Sequence, residues 1–178
     1  RSKFAGQRDD RAGLELPRAT PQEREVEKHQ ARLREILEAA AAWFEAQLKT
    51  PAGRAAHTYL IGRGLTPETI ARFRLGFAPG HGALRKAMLQ AGASDALLAE
   101  AGLAKPGESG PRDASYDRVM FPITDRRGRV IGVGGRSLMD ERTHHGAYLG
   151  GEGADRVALP DAAHAVLLAA QPGAPRSR

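Results

Sequence analysis

The sequence predicts an α/β (α+β) fold in which a helical N-terminal region is followed by a small mixed sheet with a basic β-hairpin. One observation is a long amphipathic helical pattern between Pro21 and Leu48. The other is a pair of β-branched and aromatic runs, Val119–Thr124 and Arg129–Val133, joined by Asp125–Gly128. The turn sequence Asp-Arg-Arg-Gly suits such a hairpin because glycine adopts the positive φ that closes the loop.

The N-terminal helix carries capping signals at both ends. Thr20 is the predicted N-cap, with Pro21 at the first helical position and Glu23 at the capping-box position, and Thr50-Pro51 ends the helix. Apolar residues recur at helical spacing at Val26, Leu33, Leu37, Ala40, Phe44 and Leu48. This face packs against the body of the domain or, in the competing interpretation, against another helix in a coiled coil.

Shorter elements are predicted between this helix and the hairpin. A second helix runs from Pro51 to about Ile61, with Ala55, Tyr59 and Leu60 facing inward. The other predicted elements are a helix over Thr66–Arg72, a short apolar segment over Phe73–Pro79, helices over Ala83–Gln90 and Asp95–Ala101 with Ser94 as the cap of the latter, and a loop over Pro106–Ser115.

The chain divides into three parts by composition. Residues 1–21 are predicted to be a linker from an upstream module, residues 22–149 form the folded domain, and residues 150–178 form an atypical tail, either disordered or translated in a shifted frame. The first residue is not methionine, so we expect a piece of a longer protein. Reading the coding DNA in its other frames distinguishes a frameshift from a truncation.

Composition and charge restrict the class of protein. No apolar run approaches the ~20 residues of a membrane span, the first residues lack the apolar segment of a signal peptide, and the absence of cysteine favours the cytoplasm. The formal net charge is +6, and Pro51–Asp140 holds 13 basic against 8 acidic side chains. This excess of arginine favours a polyanionic partner, or else reflects only the use of arginine as a solvated cation.

The sequence lacks motifs for covalent or metal chemistry. It contains no cysteine nucleophile and no Gly-x-Ser-x-Gly elbow. His144 and His145 are adjacent, so they point apart and are predicted to lie in a surface loop, whereas His57 is predicted to be a satisfied structural residue in a helix beside Tyr59. Gly132–Gly135 is similar to part of a dinucleotide fingerprint, but these glycines end a strand and the required helix is not evident.

The arginines of the hairpin are the remaining candidates for a function. They are Arg118, Arg127, Arg129 and Arg136, and strand alternation predicts the middle two on one face. Such a platform holds a phosphate backbone without reading bases. The glycines of Gly132–Gly135 are predicted to let another backbone or a nucleic-acid strand approach closely. The competing interpretation is an edge strand whose charges only prevent aggregation.

Two segments resemble signature sequences of a known family. L-I-G-R-G-L-T-P-E-T-I-A-R-F-R-L-G-F-A-P at Leu60–Pro79 and V-M-F-P-I-T-D-R-R-G-R-V-I-G-V-G-G-R at Val119–Arg136 are similar to segments in the polymerase core of bacterial-type (DnaG-type) replicative DNA primase. The preceding L-E-L-P-R-A-T-P and A-A-W-F-E-A-Q-L-K-T-P-A-G-R resemble its linker and first core helix. The resemblance extends from about Leu14 to Leu149 and implies that residues 22–149 are the N-terminal subdomain of that core.

The resemblance implies an enzyme that synthesises short RNA primers on single-stranded DNA template during replication. This chain would contribute template and RNA–DNA hybrid binding, with Arg63, Arg118 and Arg136 as template contacts and Arg127 and Arg129 as further ones. No cofactor is implied for the chain itself. For the full-length protein the resemblance implies Mg²⁺ in a toprim subdomain, Zn²⁺ in an upstream module, and a replicative helicase as partner.

The sequence also departs from the family's pattern. Ser115–Arg118 keeps only the last arginine of an R-F-R-x-R run, and Ala147–Gly151 lacks the lysine and asparagine of the family's K-Y-L-N. Neither Asp155 nor Asp161 has the strand context of the toprim carboxylates, so no catalytic residue is assigned and the chain alone is expected to be inactive. The alternative is a stand-alone single-stranded nucleic-acid-binding or interaction module from a mobile element.

Overall fold

The computed structural model describes residues 20–138 and the backbone of 147–150. Only residues 20 and 21 of the predicted linker and the backbone of residue 150 of the predicted tail are therefore described. The predictions for His144, His145, Asp155 and Asp161 lie outside the described residues. The helices are α1 Pro21–Leu48, α2 Arg54–Gly62, α3 Pro67–Arg72, α4 Ala83–Gln90 and α5 Asp95–Glu100. The strands are β1 Gly76–Ala78, β2 Ala104–Lys105, β3 Arg112–Asp113, β4 Arg118–Thr124, β5 Val130–Ser137 and β6 Ala147–Gly150.

Helix α1 begins with the predicted capping box. The Thr20 hydroxyl accepts the Glu23 amide at 3.2 Å, and the Glu23 carboxylate accepts the Thr20 amide at 2.6 Å. The predicted apolar face is buried from Leu33 to Leu48 and packs on β1 and β5, which favours packing within the domain over a coiled coil. Val26 is the exception at 53% exposed, because all of residues 21–30 lie in the exposed part of the helix.

Helix α2 differs from its prediction in which residues face inward. A 3₁₀ turn over Pro51–Gly53 precedes it, so the helix begins at Arg54. The buried positions are Ala56 and Leu60, one turn apart, and Ala55 is exposed because it lies about 100° round the helix from Ala56. The prediction that Ala55 faces inward is therefore wrong. The structural role predicted for His57 is not supported either, since this side chain is also exposed.

Each of the four short helices ends on a residue with left-handed backbone, followed by a buried or half-buried apolar residue. The next amide donates back to a carbonyl five residues earlier, as in Leu65 to Leu60 at 3.2 Å and Leu103 to Leu98 at 2.8 Å. The left-handed residues are Gly64, Arg74, Gly92 and Gly102. These ends turn the chain sharply, and each returns an apolar side chain to the core.

Two short ladders were not expected from the sequence. The apolar segment Phe73–Pro79 contains β1, and the segment predicted as the loop Pro106–Ser115 contains β3, which pairs with β2. Strand β1 lies directly against α1: a Cβ on Gly76 would be 2.5–2.7 Å from backbone and Cβ atoms of Phe44. Glycine is therefore required for this close approach.

The main sheet confirms the predicted fold class and the predicted hairpin. Its strand order is β1-β4-β5-β6, and every pair that the structure describes is antiparallel, whereas a mixed sheet was expected. The hairpin strands β4 and β5 are longer than predicted and together span Arg118–Ser137. Strands β4 and β5 are joined by a turn, and the chain between β1 and β4 reverses direction through α4 and α5, so neither connection is a crossover between parallel strands.

The sheet buries both of its faces. On one face, which we call the α1 face, Met120, Val130 and Val133 pack with the apolar side of α1 and with α4 and α5. On the other, the α2 face, Val119 and Phe121 pack with residues of α2 and α3. Alternating residues of β4 therefore belong to two separate cores.

A β-bulge preserves this division across the hairpin. The register shifts at Ile123/Thr124, so that Thr124 pairs with Val130 and Ile131 is the extra residue. Val130 and Val133 are an odd number of residues apart and would otherwise face opposite ways. The bulge places both in the core of the α1 face and leaves Ile131 40% exposed.

Candidate nucleic-acid interface

The tip of the hairpin is organised by Asp125. The turn closes through a Gly128 amide to Asp125 carbonyl bond of 2.9 Å, and Gly128 has the predicted positive φ of 77°. One oxygen of the Asp125 carboxylate accepts the amides of Arg127 and Arg129 at 2.8 and 3.0 Å. The other accepts the Arg129 guanidinium at 2.7 Å from Nε and 2.6 Å from Nη2. These bonds, that of the Arg129 side chain first, lower the pKa of Asp125.

The candidates Arg127 and Arg129 therefore differ in environment. Both lie in the turn before β5 starts at Val130, so strand alternation does not define their relative orientation. The Arg129 guanidinium is held by Asp125, whereas Arg127 and its neighbour Arg126 are exposed, and no ion pair involves either of them within residues 20–138. Arg126 was not among the predicted site residues, although its place at the turn centre would have indicated exposure.

The candidates Arg118 and Arg136 lie on opposite faces of the sheet. Arg136 pairs with Val119 and so belongs to the α2 face. Arg118 is one residue away from Val119 on β4, and its Cδ would lie 3.2 Å from a Cβ on Gly135, beside Met120 of the α1 face. The register therefore separates two arginines that the sequence groups in one segment.

The candidate Arg63 lies on the same side of the sheet as Arg136. It is the C-cap of α2, and its guanidinium lies 5.2 Å from the ring centroid of Tyr59. Tyr59 packs against the core cluster that contains Val119, the register partner of Arg136. Arg54 and Arg72 are exposed on the neighbouring helices α2 and α3, and the sequence analysis did not single them out.

The glycines of β5 serve packing within the hairpin. A Cβ on Gly134 would lie 2.4 Å from the Phe121 ring, and one on Gly135 would lie 2.7 Å from the Met120 sulfur. Each large side chain thus covers the glycine opposite it on the partner strand. The backbone that approaches these glycines is that of β6, which pairs with Gly132–Gly135.

Two arginines near the α1 face are paired with carboxylates. Arg74 contacts Glu38 at 2.7 Å and Glu45 at 3.3 Å, both on α1. Arg85 contacts Asp95 at 2.6 Å, and this bond lowers the pKa of the Asp95 carboxyl. Arg74 joins the segment between α3 and β1 to α1, and Arg85 joins α4 to α5, so both are committed to internal contacts.

Asp113 is a buried carboxylate that the sequence analysis placed in a loop. Its two oxygens accept the amides of Leu84 and Arg85 at 3.1 and 2.8 Å, at the start of α4. The N-cap residue of that helix is Gly82, which has no side chain to do this. Burial raises the pKa of Asp113, and the two backbone amides oppose this rise.

The described residues do not form a metal site. Among residues 20–138 there is no group of three or more His, Cys, Asp or Glu side chains able to hold an ion. The Mg²⁺ and Zn²⁺ implied for the family are therefore not assigned to residues of this chain, and no chemical step is derived through them. In the same described part of the chain, no helix is long and apolar enough to cross a bilayer.

Comparison with known proteins identifies the family. Residues 43–151 match the family model of the DNA primase catalytic core, N-terminal domain. The DNA primase of Pseudomonas aeruginosa is 42% identical over 151 residues, which cover 74% of this chain and 21% of that protein. The DNA primase of Deinococcus radiodurans is 40% identical over 136 residues, covering 75% of this chain and 22% of that protein. The chain thus spans about a fifth of the length of these relatives.

Solved structures show the same similarity. A structure described as the DnaG primase catalytic domain bound to ssDNA has a TM-score of 0.62 and 32% identity, and covers 69% of this chain and 40% of that one. The primase of Aquifex aeolicus, solved with its zinc-binding and RNA polymerase domains, has a TM-score of 0.59 and 29% identity, with coverage of 70% and 31%. The chain belongs to the DNA primase catalytic core family, and its residues 43–151 correspond to the N-terminal domain of that core.

Proposed function

We propose that this chain binds the single-stranded template, and the RNA–DNA hybrid made on it, as part of a DNA primase. The observation that carries the proposal is the set of cations on the α2 face. Arg63 and Arg136 lie on that side, and no ion pair joins either of them to an acidic side chain within residues 20–138. A catalytic domain of the same family has been solved with ssDNA bound, which supports the same kind of ligand here.

The chemistry of this surface favours the phosphate backbone as its target. A guanidinium presents a planar fork of donors that matches two phosphate oxygens, and such contacts carry no sequence information. Tyr59 is half-buried beneath Arg63 and holds that side chain near the end of α2. The other predicted contacts, Arg118, Arg127 and Arg129, lie outside the α2 face; Arg118 and Arg127 remain proposed contacts, and the Arg129 guanidinium is held by Asp125.

We also propose that the full-length protein synthesises primers. Primer synthesis requires metal-bound carboxylates for nucleotidyl transfer, and we assign none of these to this chain. We propose that Mg²⁺ and Zn²⁺ are bound by other parts of a full-length primase, which acts in the cytoplasm with a replicative helicase. No observation favours the alternative of a stand-alone module from a mobile element.

The proposal is tested by single-stranded DNA binding of the 178-residue chain, measured by fluorescence anisotropy. The double variant Arg63→Ala/Arg136→Ala is expected to bind about tenfold more weakly, equivalent to about 1.4 kcal/mol. The slope of log affinity against log salt should fall by about 1.4, since each phosphate contact on a single strand contributes about 0.7. Circular dichroism checks that the variant is folded.

The matched control removes two exposed arginines from the N-terminal half of α1, Arg24→Ala/Arg32→Ala. It is expected to change affinity by less than about twofold, because general attraction between distant charges is screened by salt. Equal losses in the two double variants would show that binding follows net charge alone and would contradict the assignment to the α2 face.

A further inference from the structure

The hairpin tip carries two cations that lie outside the α2 face. Arg126 and Arg127 occupy the centre of the turn between β4 and β5, and both are exposed. Neither guanidinium is joined to a carboxylate within residues 20–138, although Asp125 is adjacent in sequence. The reason is that both oxygens of Asp125 are occupied by Arg129 and by the amides of the turn.

Asp125 and Arg129 together therefore act as a brace for the turn. Four bonds of 2.6–3.0 Å converge on one carboxylate, and they fix the backbone from which Arg126 and Arg127 project. The brace thus places two exposed arginines on consecutive residues of a fixed turn. This is the arrangement that favours a phosphodiester, because two adjacent forks can share one phosphate or bind two successive ones.

The tip is distant from the cations of the α2 face. Arg136 lies near the far end of β5, so at about 3.3 Å per residue the tip is about 20 Å away along the strand. A strand stacked as in a duplex, with one phosphate per about 3.4 Å, would need about six nucleotides to reach from one to the other, and a more extended single strand would need fewer. A short oligonucleotide can contact only one of the two places at a time.

We propose that Arg126 and Arg127 form a second phosphate contact for single-stranded DNA, engaged only by strands long enough to extend from the α2 face to the hairpin tip. This inference rests on the proposed function and assigns different roles to neighbouring residues. Arg126 and Arg127 touch the ligand, whereas Arg129 is a positioning residue that acts through Asp125. The site recognises the phosphate backbone and not the bases.

The test compares probes of about four and about sixteen thymidines, the range of site sizes for single-stranded binding. Arg126→Ala/Arg127→Ala in the full 178-residue chain is expected to lower affinity for the long probe by about fivefold to tenfold, with the salt slope reduced by about 1.4. Affinity for the short probe should change by less than about twofold. The control is again Arg24→Ala/Arg32→Ala, with the same loss of charge.

The outcomes separate this inference from the proposed function. If the wild-type chain binds both probes, and the tip variant keeps wild-type affinity for the long probe or loses the same factor for both, the second contact is refuted and the α2-face proposal stands. If Arg63→Ala/Arg136→Ala leaves binding of both probes unchanged, or the wild type binds neither, the proposed function fails and this inference fails with it.

The positioning role of Arg129 has its own readout. Arg129→Lys keeps a cation but loses the forked contact to Asp125. It is expected to deprotect the amides of Arg127 and Arg129 in hydrogen exchange and to weaken only the long probe. Unchanged exchange together with weaker binding of both probes would make Arg129 a direct contact and would overturn the assigned division of roles.

Discussion

The two faces of the sheet use arginine in opposite ways. On the α1 side, Arg74 and Arg85 are tied to carboxylates of α1 and α5 and join one element to another. On the α2 side, Arg63 and Arg136 have no carboxylate partner within residues 20–138. Two arginines therefore link elements of the fold on one side, and two present their charge on the other. The net charge of the protein does not show which of these roles an arginine has. The presence or absence of an acidic partner does.

The largest expected effect comes from changing the glycines beneath the two faces. Gly134→Ala should lower the free energy of unfolding by about 2–3 kcal/mol, because its Cβ would lie 2.4 Å from the rigid ring of Phe121 on the α2 face. Gly135→Ala should cost about 1 kcal/mol or less, since the Met120 sulfur that it meets can move to another rotamer. Urea denaturation measures both.

Gly62→Ala is the matched control for these glycine variants. Nothing lies within 4 Å of a Cβ at this position, and it is the last residue of α2. This change should leave stability unchanged or raise it by up to about 1 kcal/mol through helix propensity. Equal costs at Gly134 and Gly135 would show that the two faces do not differ in their tolerance of added volume.

A smaller effect is expected from the ion pairs that distinguish the two sides. Arg74→Ala removes contacts to Glu38 and Glu45 and should lower the free energy of unfolding by about 1 kcal/mol, a modest value because the group is partly solvated. Arg72→Ala, which removes an exposed cation two residues away, should lie within about 0.5 kcal/mol of wild type. Similar losses in the two variants would show that an arginine with carboxylate partners contributes no more to stability than one without them.

The smallest expected effect is in the pH dependence of stability. The Asp95 and Asp125 carboxyls have pKa values below the ordinary 3.8, so their stabilisation is present above that pH and is lost as pH falls through the folded values. Burial raises the pKa of Asp113, so its contribution has the opposite sign and is lost as pH rises through its folded value. Stability should therefore fall on acidification below about pH 4.

Asp113→Asn tests the opposing contribution. The variant keeps one oxygen acceptor for the start of α4 but no longer titrates. Thermal unfolding followed between about pH 3 and about pH 6 should show a steeper loss of stability on acidification than in the wild type. A shallower dependence would mean that the Asp113 carboxyl is stabilised in its charged form by the α4 amides, against the effect of its burial.

Local signals predicted much of the fold. The capping box at Thr20 and Glu23, the hydroxyl cap Ser94, and the Asp-Arg-Arg-Gly turn each act within four residues, and the structure contains all of them. Chain-local chemistry of this kind is readable because the partner is adjacent in sequence. Val26 and Ala55 were predicted to face inward but are exposed. Periodicity identifies the apolar face of a helix, but it does not show which part of that face is covered by another element.

The features that sequence could not reveal depend on distant partners. Asp113 caps a helix 28 and 29 residues away, and no local pattern marks it. The two-residue ladder of β2 and β3 is too short to show alternation. The separation of Arg118 from Arg136 by face follows from the cross-strand register, which places Val119 opposite Arg136 and leaves Arg118 on the other side. The candidate residues could be named from the sequence, but the face of the sheet on which each one lies could not be predicted.

The brace at Asp125 has a consequence for the entropy of binding. A flexible loop must lose conformational freedom when its side chains engage a ligand, and that loss opposes association. Here the turn backbone is already held by bonds to the Asp125 carboxylate before any ligand arrives. Only the side-chain rotamers of Arg126 and Arg127 remain to be ordered. An aspartate that touches no ligand thereby reduces the ordering that the turn must undergo on contact.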